Sequence, residues 1–559
     1  MYFSSPKLRF LTASLGLITG SAFALTPPDA GQTLQQLQAP PPPTAQTKSA
    51  PVLTSNTKLN ENITGAENPT IPFSRLRYSG NTRYDQVVLD KIVGPLTGPL
   101  RLSDLRSAAQ RITLHYRQHG YLLARAYLPP QDITKGVITI AILEGRLDHI
   151  NLTNSSHLST KQIQSLLDNQ QPSNQPVRTD DANRALLLTQ AIPGVGTVQG
   201  SLRPSATIGS TELDVTVTEG PQVTGYVGLD NSGNRYTGAE RLTGGVYFNN
   251  LTSFGDQLNL QGVVTNQDRM DYGRIAWDAP VGSSGLRLGA AFSNLRYSLG
   301  ESFKILDAHG IARTKAIYGS FPILATPTSH INANLSLERR DLTDITGLVN
   351  LDNRRSLDTA ILTLSGDFRD TLLLTPAVNA WRVTTAAGKL DLKTQSVSII
   401  DDKTAQTAGH YDKVTVSFTR EQLLPASFSL YLSGLAQRSN KNLDSSEQIT
   451  LGGGNGIRAY PEGEAPGDQG WIGTAELRYR LNSELQLTSF YDAGTIQANH
   501  FPYINQNNNR HLSGFGVGAN SNWGPFNLKA NLAWRGNSST PTSDTDRSPR
   551  IWVQGSYFF

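Results

Sequence analysis

Residues 471–480, WIGTAELRYR, decide how most of this 559-residue chain is to be read. Successive side chains of an extended strand point to opposite faces. Trp471, Gly473, Ala475, Leu477 and Tyr479 therefore share one face, and Thr474, Glu476, Arg478 and Arg480 share the other. The same period returns at 331–338 (INANLSLE), 413–418 (KVTVSF) and 526–535 (FNLKANLAWR), each time with one greasy face and one polar or charged face. A soluble sandwich would bury its greasy face and stop after a few such strands. Repeated from 221 to 559, with Tyr, Phe and Trp near strand ends, the pattern predicts an all-β transmembrane barrel with a wet interior. At about 20 residues per strand and connection, roughly 16 antiparallel strands fit. The last of them, 550–559, puts Val553, Tyr557 and Phe559 on one face, and its apolar edge needs a partner that barrel closure supplies.

Immediately before Trp471 the alternation stops. Residues 451–470, LGGGNGIRAYPEGEAPGDQG, carry Gly452, Gly453, Gly454 and Gly456, which rule out a regular strand. They predict a long ordered loop with Arg458 and Tyr460 in its middle. Gly and Arg also meet in ordinary surface loops, so these residues alone leave the role of Arg458 open. A phosphate-binding loop is excluded, because no Gly-Lys-Ser/Thr opens a helix here.

Composition removes other classes of function. The chain has no Cys, and its 9 His residues show no metal-ligand spacing, so neither thiol catalysis nor a metal site nor any other cofactor is expected. The net charge of +4 is spread along the sequence rather than gathered into a basic stripe, which argues against nucleic acid as a partner.

Toward the N-terminus the organisation changes three times. Residues 1–24 carry Lys7 and Arg9, an apolar run over 10–18, and Ala22-Phe23-Ala24, the pattern of a secretory signal peptide. Residues 25–39 include DAGQTLQQLQ at 29–38, a short helix with Asp29 as N-cap and Leu34 and Leu37 on one side. Tethered by a Pro-rich and polar linker over 40–71, that helix is expected to act as a plug. Residues 72–146 then read as strand, helix, helix, strand, strand, and 147–220 repeat the order. Even the closing residues recur, Leu143-Glu144-Gly145 against Thr218-Glu219-Gly220. The fold class is mixed: two tandem α+β modules followed by a barrel.

Further residues carry a resemblance. Gly120-Tyr121, Leu128-Pro129 and Gln131-Asp132 in the first module, Asp230-Asn231-Ser232-Gly233 with Arg235-Tyr236-Thr237-Gly238 at the barrel start, and Ile457-Arg458-Ala459-Tyr460 in the loop resemble the outer-membrane transporters of two-partner secretion. These are the transporters of the haemolysin-activator and filamentous-haemagglutinin type, whose periplasmic modules are POTRA domains. Their loop motif is usually Val-Arg-Gly-Tyr, so Ile457 and Ala459 are departures while Arg458 and Tyr460 are kept. A second family motif, Phe-x-Asp-x-Gly, matches Phe490, Asp492 and Gly494. Strand parity puts Leu485, Leu487 and Tyr491 on the greasy face and Phe490 and Asp492 on the lumen side.

The resemblance implies that the loop folds into the lumen and that Arg458 pairs there with Asp492, a charge-assisted bond of about 1.5–3 kcal/mol. In a wet lumen, Arg458→Ala is then expected to leave Asp492 hydrated and barrel stability almost unchanged. It also implies that Tyr557 and Phe559 form a barrel-assembly signal read by the barrel assembly machinery, that the barrel sits among outer-membrane lipids, and that its modules lie in the periplasm. The implied cargo is a large secreted exoprotein, whether haemolysin, adhesin or contact-dependent toxin, caught unfolded by β-augmentation on a module edge at 73–78 or 122–128. An assembly factor of the same superfamily is the nearest alternative. A passive porin would not need the modules, and an outer-membrane hydrolase would need a catalytic constellation.

Overall fold

The computed structural model describes residues 27–38, 52–55, 68–133, 136–207 and 209–559. The segment read as signal peptide and most of the one read as linker lie outside them. A helix, Ala30–Gln38, comes first, followed by the short strands β1 (Val52–Ser55) and β2 (Thr70–Ile71). The first module contains β3 (Arg75–Ser79), a helix Gln86–Val93, β4 (Leu100–Arg101), a helix Leu102–Gln118, β5 (Arg125–Tyr127) and β6 (Val137–Leu143). Ile138, Ile140 and Ile142 alternate into a core shared with Leu89, Leu105, Ile112 and Tyr116, so the strand period of two meets the helical period across one apolar layer. The sheet order β3-β6-β5 leaves β3 and β5 as edges. The strand expected over 122–128 is shorter because Tyr121–Ala124 closes a turn, with Ala124 N donating to Tyr121 O.

The second module repeats the plan with β7 (Arg146–Asn154), helices Thr160–Gln170 and Thr179–Gln190, β8 (Val195–Pro204) and β9 (Ser210–Glu219). Its sheet order is β1-β8-β9-β7, which corrects the reading of 40–71 as linker alone. β1 runs parallel to β8, with Leu53 opposite Gly200. An open strand edge offers unpaired backbone groups to any extended segment. Gly200 leaves room for Leu186 of the overlying helix and for Leu53, since a Cβ there would stand 2.6 Å from Leu186 Cδ1 and 3.2 Å from Leu53 Cδ1.

The recurring glutamates have a common task. Glu144 accepts from Thr82 N at 2.7 Å, Arg83 N at 3.0 Å and Tyr116 OH at 3.0 Å, fixing the turn that enters the first helix of its module. Glu219 accepts from His157 N at 2.6 Å at the equivalent turn of the second module. Burial pushes the Glu144 carboxyl up, but the donors from Thr82, Arg83 and Tyr116 outweigh it and hold it below the usual carboxylate range.

From Val223 the chain is barrel. Its strands are β10 (Val223–Asp230), β11 (Arg241–Asn249), β12 (Gln257–Thr265), β13 (Met270–Pro280), β14 (Arg287–Ser298), β15 (Ala308–Ala325), β16 (Ser329–Thr346) and β17 (Leu351–Asp370). They continue as β18 (Ala377–Leu392), β19 (Gly409–Leu423) and β20 (Phe428–Ser439). Two short strands, β21 (Ile449–Thr450) and β22 (Pro466–Gly467), pair inside the long loop. The wall is completed by β23 (Gln469–Arg480), β24 (Leu485–Gln497), β25 (Asn509–Trp523), β26 (Phe526–Arg535) and β27 (Arg550–Phe558). β27 closes on β10, giving the 16-stranded antiparallel barrel expected from the alternation. The seam is short: Tyr226–Asp230 pair with Gln554–Phe558. Phe559 adds backbone bonds to Gly225 in both directions, at 2.8 and 3.0 Å, and its ring and that of Tyr557 stack facing outward.

Candidate functional site in the barrel lumen

Two elements fill the upper lumen: the loop between β20 and β23, and the N-terminal helix. Inside the loop Gly456 N donates to Gly453 O and Ile457 N to Leu451 O, folding the chain tightly enough to present residues 457–460 as one compact tip. Gly453, at φ 124°, takes a backbone conformation that side chains disfavour. The tip is packed, not wet. Ile457, Ala459 and Tyr460 join Leu451, Phe490 and Leu512 in an apolar cluster.

Arg458 lies 4% exposed at the centre of that tip. Its Nε donates to Asp492 Oδ2 at 2.9 Å and its Nη2 to Asp492 Oδ1 at 2.7 Å, a bidentate fork. The backbone N of Arg458 reaches the same carboxylate at 3.1 Å, and Thr474 Oγ1 donates to it at 2.9 Å. Nη1 goes elsewhere, to Glu476 Oε1 at 2.7 Å. Trp552 Nε1 donates to Arg458 O at 2.7 Å, and the guanidinium lies over the Phe490 ring at 3.4 Å. Asp492 is fully buried, contrary to the expectation of a hydrated carboxylate. Parity places a side chain on the lumen face, but the loop itself covers that part of the lumen and expels the water.

The two departures from the family motif are accommodated by glycines. A Cβ at Gly494 would stand 3.2 Å from Ile457 Cδ1, and one at Gly514 would stand 2.5 Å from the Ala459 methyl. Gly514 on β25 thus makes the space that Gly at position 459 would otherwise provide. Tyr460 OH lies 2.8 Å from both Asn537 Oδ1 and Ser539 O in the loop between β26 and β27. Glu464, fully buried, accepts from the backbone N of Thr542 and of Ser543 at 2.8 Å and pairs with Arg510.

A second buried arginine was not legible beforehand. Arg355 on β17 pairs with Asp344 at 2.5 Å, with Asp444 at 2.7 Å and with Asp29 at 2.8 Å. Asp29 caps the N-terminal helix by accepting from Gln32 N at 2.8 Å, and Ser445 Oγ donates to the same carboxylate. Ala30 N donates to Asp344 Oδ1 at 2.8 Å. Ala30 and Leu34 are buried against Tyr297, Leu342, Leu357 and Tyr411 of the inner wall. Between helix, loop and wall a cavity of about 1040 Å3 remains, lined by Gln36, Arg241, Arg340, Arg382 and Lys413 among others.

The sequence had already brought Arg458 to Asp492. Glu476 and Trp552 were missed as partners, although both stand on the lumen face of their strands by parity. Arg355, Asp344 and Asp444 carry no motif, and Asp29 showed itself only as a helix cap. Asp148, His149 and Glu212 form an exposed cluster on the second module, but Arg203 already pairs with Glu212 at 2.6 Å.

Comparison with known proteins follows the geometry. Residues 209–521 match the family described as haemolysin secretion/activation protein ShlB/FhaC/HecB, and residues 71–145 match the POTRA domain of ShlB type. The heme/hemopexin transporter protein HuxB of Haemophilus influenzae is 30% identical over 399 residues, 70% of each chain. The outer membrane transporter CdiB of Escherichia coli is 28% identical over 271 residues, 47% of this chain and 43% of the relative. Among solved structures, CdiB from Escherichia coli superposes with a TM-score of 0.72 at 19% identity over 100% of both chains. CdiB from Acinetobacter baumannii follows with 0.65 at 17% identity, covering 99% of this chain and 97% of its own. At those identities the structural likeness speaks for the fold.

Proposed function

This chain belongs to the haemolysin secretion/activation family ShlB/FhaC/HecB, outer-membrane transporters that export an exoprotein by two-partner secretion, and we propose how its residues do so. The POTRA modules lie in the periplasm and the barrel in the outer membrane. We divide the chain into a leader (1–24), a plug (25–39), a linker (40–71) whose residues 52–55 add a strand to the second module, modules at 72–146 and 147–220, and a barrel (221–559). The cargo is a large exoprotein of the haemolysin, haem-acquisition, adhesin or contact-dependent toxin kind. It reaches the first module unfolded and pairs with the open edge β3 or β5, where main-chain hydrogen bonds tolerate any sequence. Transport then needs no catalysis, because folding outside draws the chain forward. Tyr557 and Phe559 serve earlier, as the outward-facing signal read by the barrel assembly machinery among outer-membrane lipids.

The observation that carries this reading is the pair of buried arginines in the lumen. Arg458 holds the tip Ile457-Arg458-Ala459-Tyr460 on the strand motif Phe490, Asp492 and Gly494, and Arg355 holds the N-terminal helix. A closed pore with two arginine-held obstructions is a gated one. Proline on β3 and on β5 should weaken binding of the cargo's N-terminal domain while heat-modifiable barrel still accumulates in the outer membrane. Unchanged cargo binding with proline at both edges would place capture elsewhere.

A further inference from the structure

The outside of the barrel wall is as uneven as the inside. On β10 to β12 and on β23 to β27, no Asp, Glu, Lys or Arg among the described strand residues faces outward. On β15 to β18 the outward residues change from apolar to charged at one register, toward the extracellular end. Lys315 follows Ile317, Arg339 follows Leu337, Asp358 follows Ala360 and Lys389 follows Ala387. Those charged residues are direct neighbours: Lys315 opposes Arg339, Arg339 opposes Asp358, Asp358 opposes Lys389, and Lys389 opposes His410.

Such a row is unfavourable by itself. Like charges directly opposite one another on a sheet face repel, and Lys315 and Arg339 are such a pair. Asp341 and Asp358 each stand 3.5 Å from Arg339, with side chains 49% and 61% exposed, and ion pairs that exposed relieve the repulsion little. Among the described residues no carboxylate lies within ion-pair distance of Lys315 or Lys389. Directly below the row the outward residues are, strand by strand, Ala290, Ile317, Leu337, Ala360 and Ala387, so two large apolar side chains stand between Ala290 and the pair Ala360 and Ala387. The result is a groove of about 790 Å3 in the outer wall, with an apolar floor and a rim that carries Lys315, Arg339 and Lys389, with Asp358 between the last two.

We propose that this groove binds a bisphosphorylated, multiply acylated glycolipid of the outer leaflet, of the lipid A class, with acyl chains along the apolar floor, beside Ile317 and Leu337 and over Ala360 and Ala387, and phosphates on Lys315, Arg339 and Lys389. The groove lies on the lipid-facing side of an outer-membrane barrel, toward the extracellular ends of its strands, so the outer leaflet supplies its occupant. Basic pockets at the membrane boundary recognise anionic head groups, and Lys and Arg are the residues that bind phosphate. Neighbouring strands are about 4.8 Å apart, so Lys315 and Lys389 stand roughly 14 Å from each other along the row. Two cationic points at that separation suit two phosphates carried on one disaccharide. A single-phosphate lipid would satisfy one of them. The bound lipid brings negative charge to Lys315 and Lys389, which the exposed carboxylates beside Arg339 do not reach.

The test uses the full-length folded barrel in detergent, stripped of lipid and offered lipid A, dephosphorylated lipid A, phosphatidylglycerol or inorganic phosphate, with retained ligand read by native mass spectrometry. Wild type should retain lipid A at least tenfold better than each of the other three. Lys315→Gln with Lys389→Gln should lower retention about tenfold, as should Ala360→Trp with Ala387→Trp, which fills the floor and keeps the cations. Heat-modifiability establishes folding in each case. Two pairs of variants are used so that failure of one to fold leaves the other to decide. Equal retention of dephosphorylated lipid A or phosphatidylglycerol, competition by inorganic phosphate alone, or full retention by a folded variant would overturn the proposal. Secretion is assayed separately, so a failed lipid result leaves the transport reading standing.

Discussion

Arg458 and Arg355 look alike in outline and differ in what depends on them. Each is a buried guanidinium among carboxylates on the lumen side of the barrel. Arg458 is the cation shared by Asp492 and Glu476, whose side chains are 0% and 10% exposed, and no other cation reaches Asp492 among the described ion pairs. Arg355 has three carboxylate partners, and the one from the N-terminal helix, Asp29, keeps its side chain 34% exposed. Withdrawing the helix leaves Arg355 paired with Asp344 and Asp444. Withdrawing the loop tip strands the buried Asp492, while Glu476 keeps Arg478 at 2.7 Å. On the proposed reading the helix is therefore the detachable obstruction and the loop tip the fixed one.

The largest expected effect follows from that asymmetry. Arg458→Ala should destabilise the folded barrel by about 3–5 kcal/mol, the cost of removing one partner from a buried ion pair, and should abolish export. The check is the temperature at which the heat-modifiable form is lost, beside cargo in the medium. Arg458→Lys should recover part of the stability but little of the export, because an ammonium cannot make the planar fork to Asp492. A melting temperature unchanged in Arg458→Ala would restore the hydrated Asp492 expected from strand parity and erase the contrast.

Asp29→Ala should act on the pore more than on the fold. It removes the helix cap, worth about 1 kcal/mol, and the helix's contact with Arg355, so single-channel conductance in planar bilayers should rise while barrel melting shifts little. Conductance equal to wild type would mean that the helix does not obstruct the pore. A smaller effect is expected at the wall behind the loop tip. Gly514→Ala should cost about 1–3 kcal/mol through overpacking against Ala459, and adding Ala459→Gly should recover most of it. Additive losses in a double-mutant cycle would show that the two positions do not share the space.

The smallest effect lies outside the membrane. The Glu144 carboxyl is held below its ordinary value, so its contribution is present above the unfolded value of about 4.3 and fades as pH falls through the depressed folded value. Glu144→Gln should reduce hydrogen-exchange protection of the Thr82 and Arg83 amides at neutral pH and flatten its loss on acidification. Protection equal to wild type at pH 7 would remove the clip.

What was legible in the sequence follows the same division. The tip and its strand motif were readable because residues 457–460 and Phe490, Asp492 and Gly494 resemble two family motifs, while strand parity by itself put Asp492 on the lumen side and left its partner open. Repetition of the closing glutamate was visible too, though its hydrogen bonds to Thr82 and to His157 were not. The Arg355 cluster could not be read, since Asp29 and Arg355 are separated by 326 positions and belong to no shared pattern. Nor could the burial of Asp492. Parity assigns a residue to the lumen but does not say what else has folded into it. β1 was hidden for a related reason: four residues in a polar stretch become a strand because β8 offers an edge, not because their own composition demands one.

The central claim is that this barrel exports an exoprotein, and comparing exported proteins tests it most directly. Mass spectrometry of the culture medium and cell surface should show a large exoprotein lost when the chain is deleted, restored by wild type, and still missing with Arg458→Ala. An identical set of surface and secreted proteins with and without the chain would contradict the account.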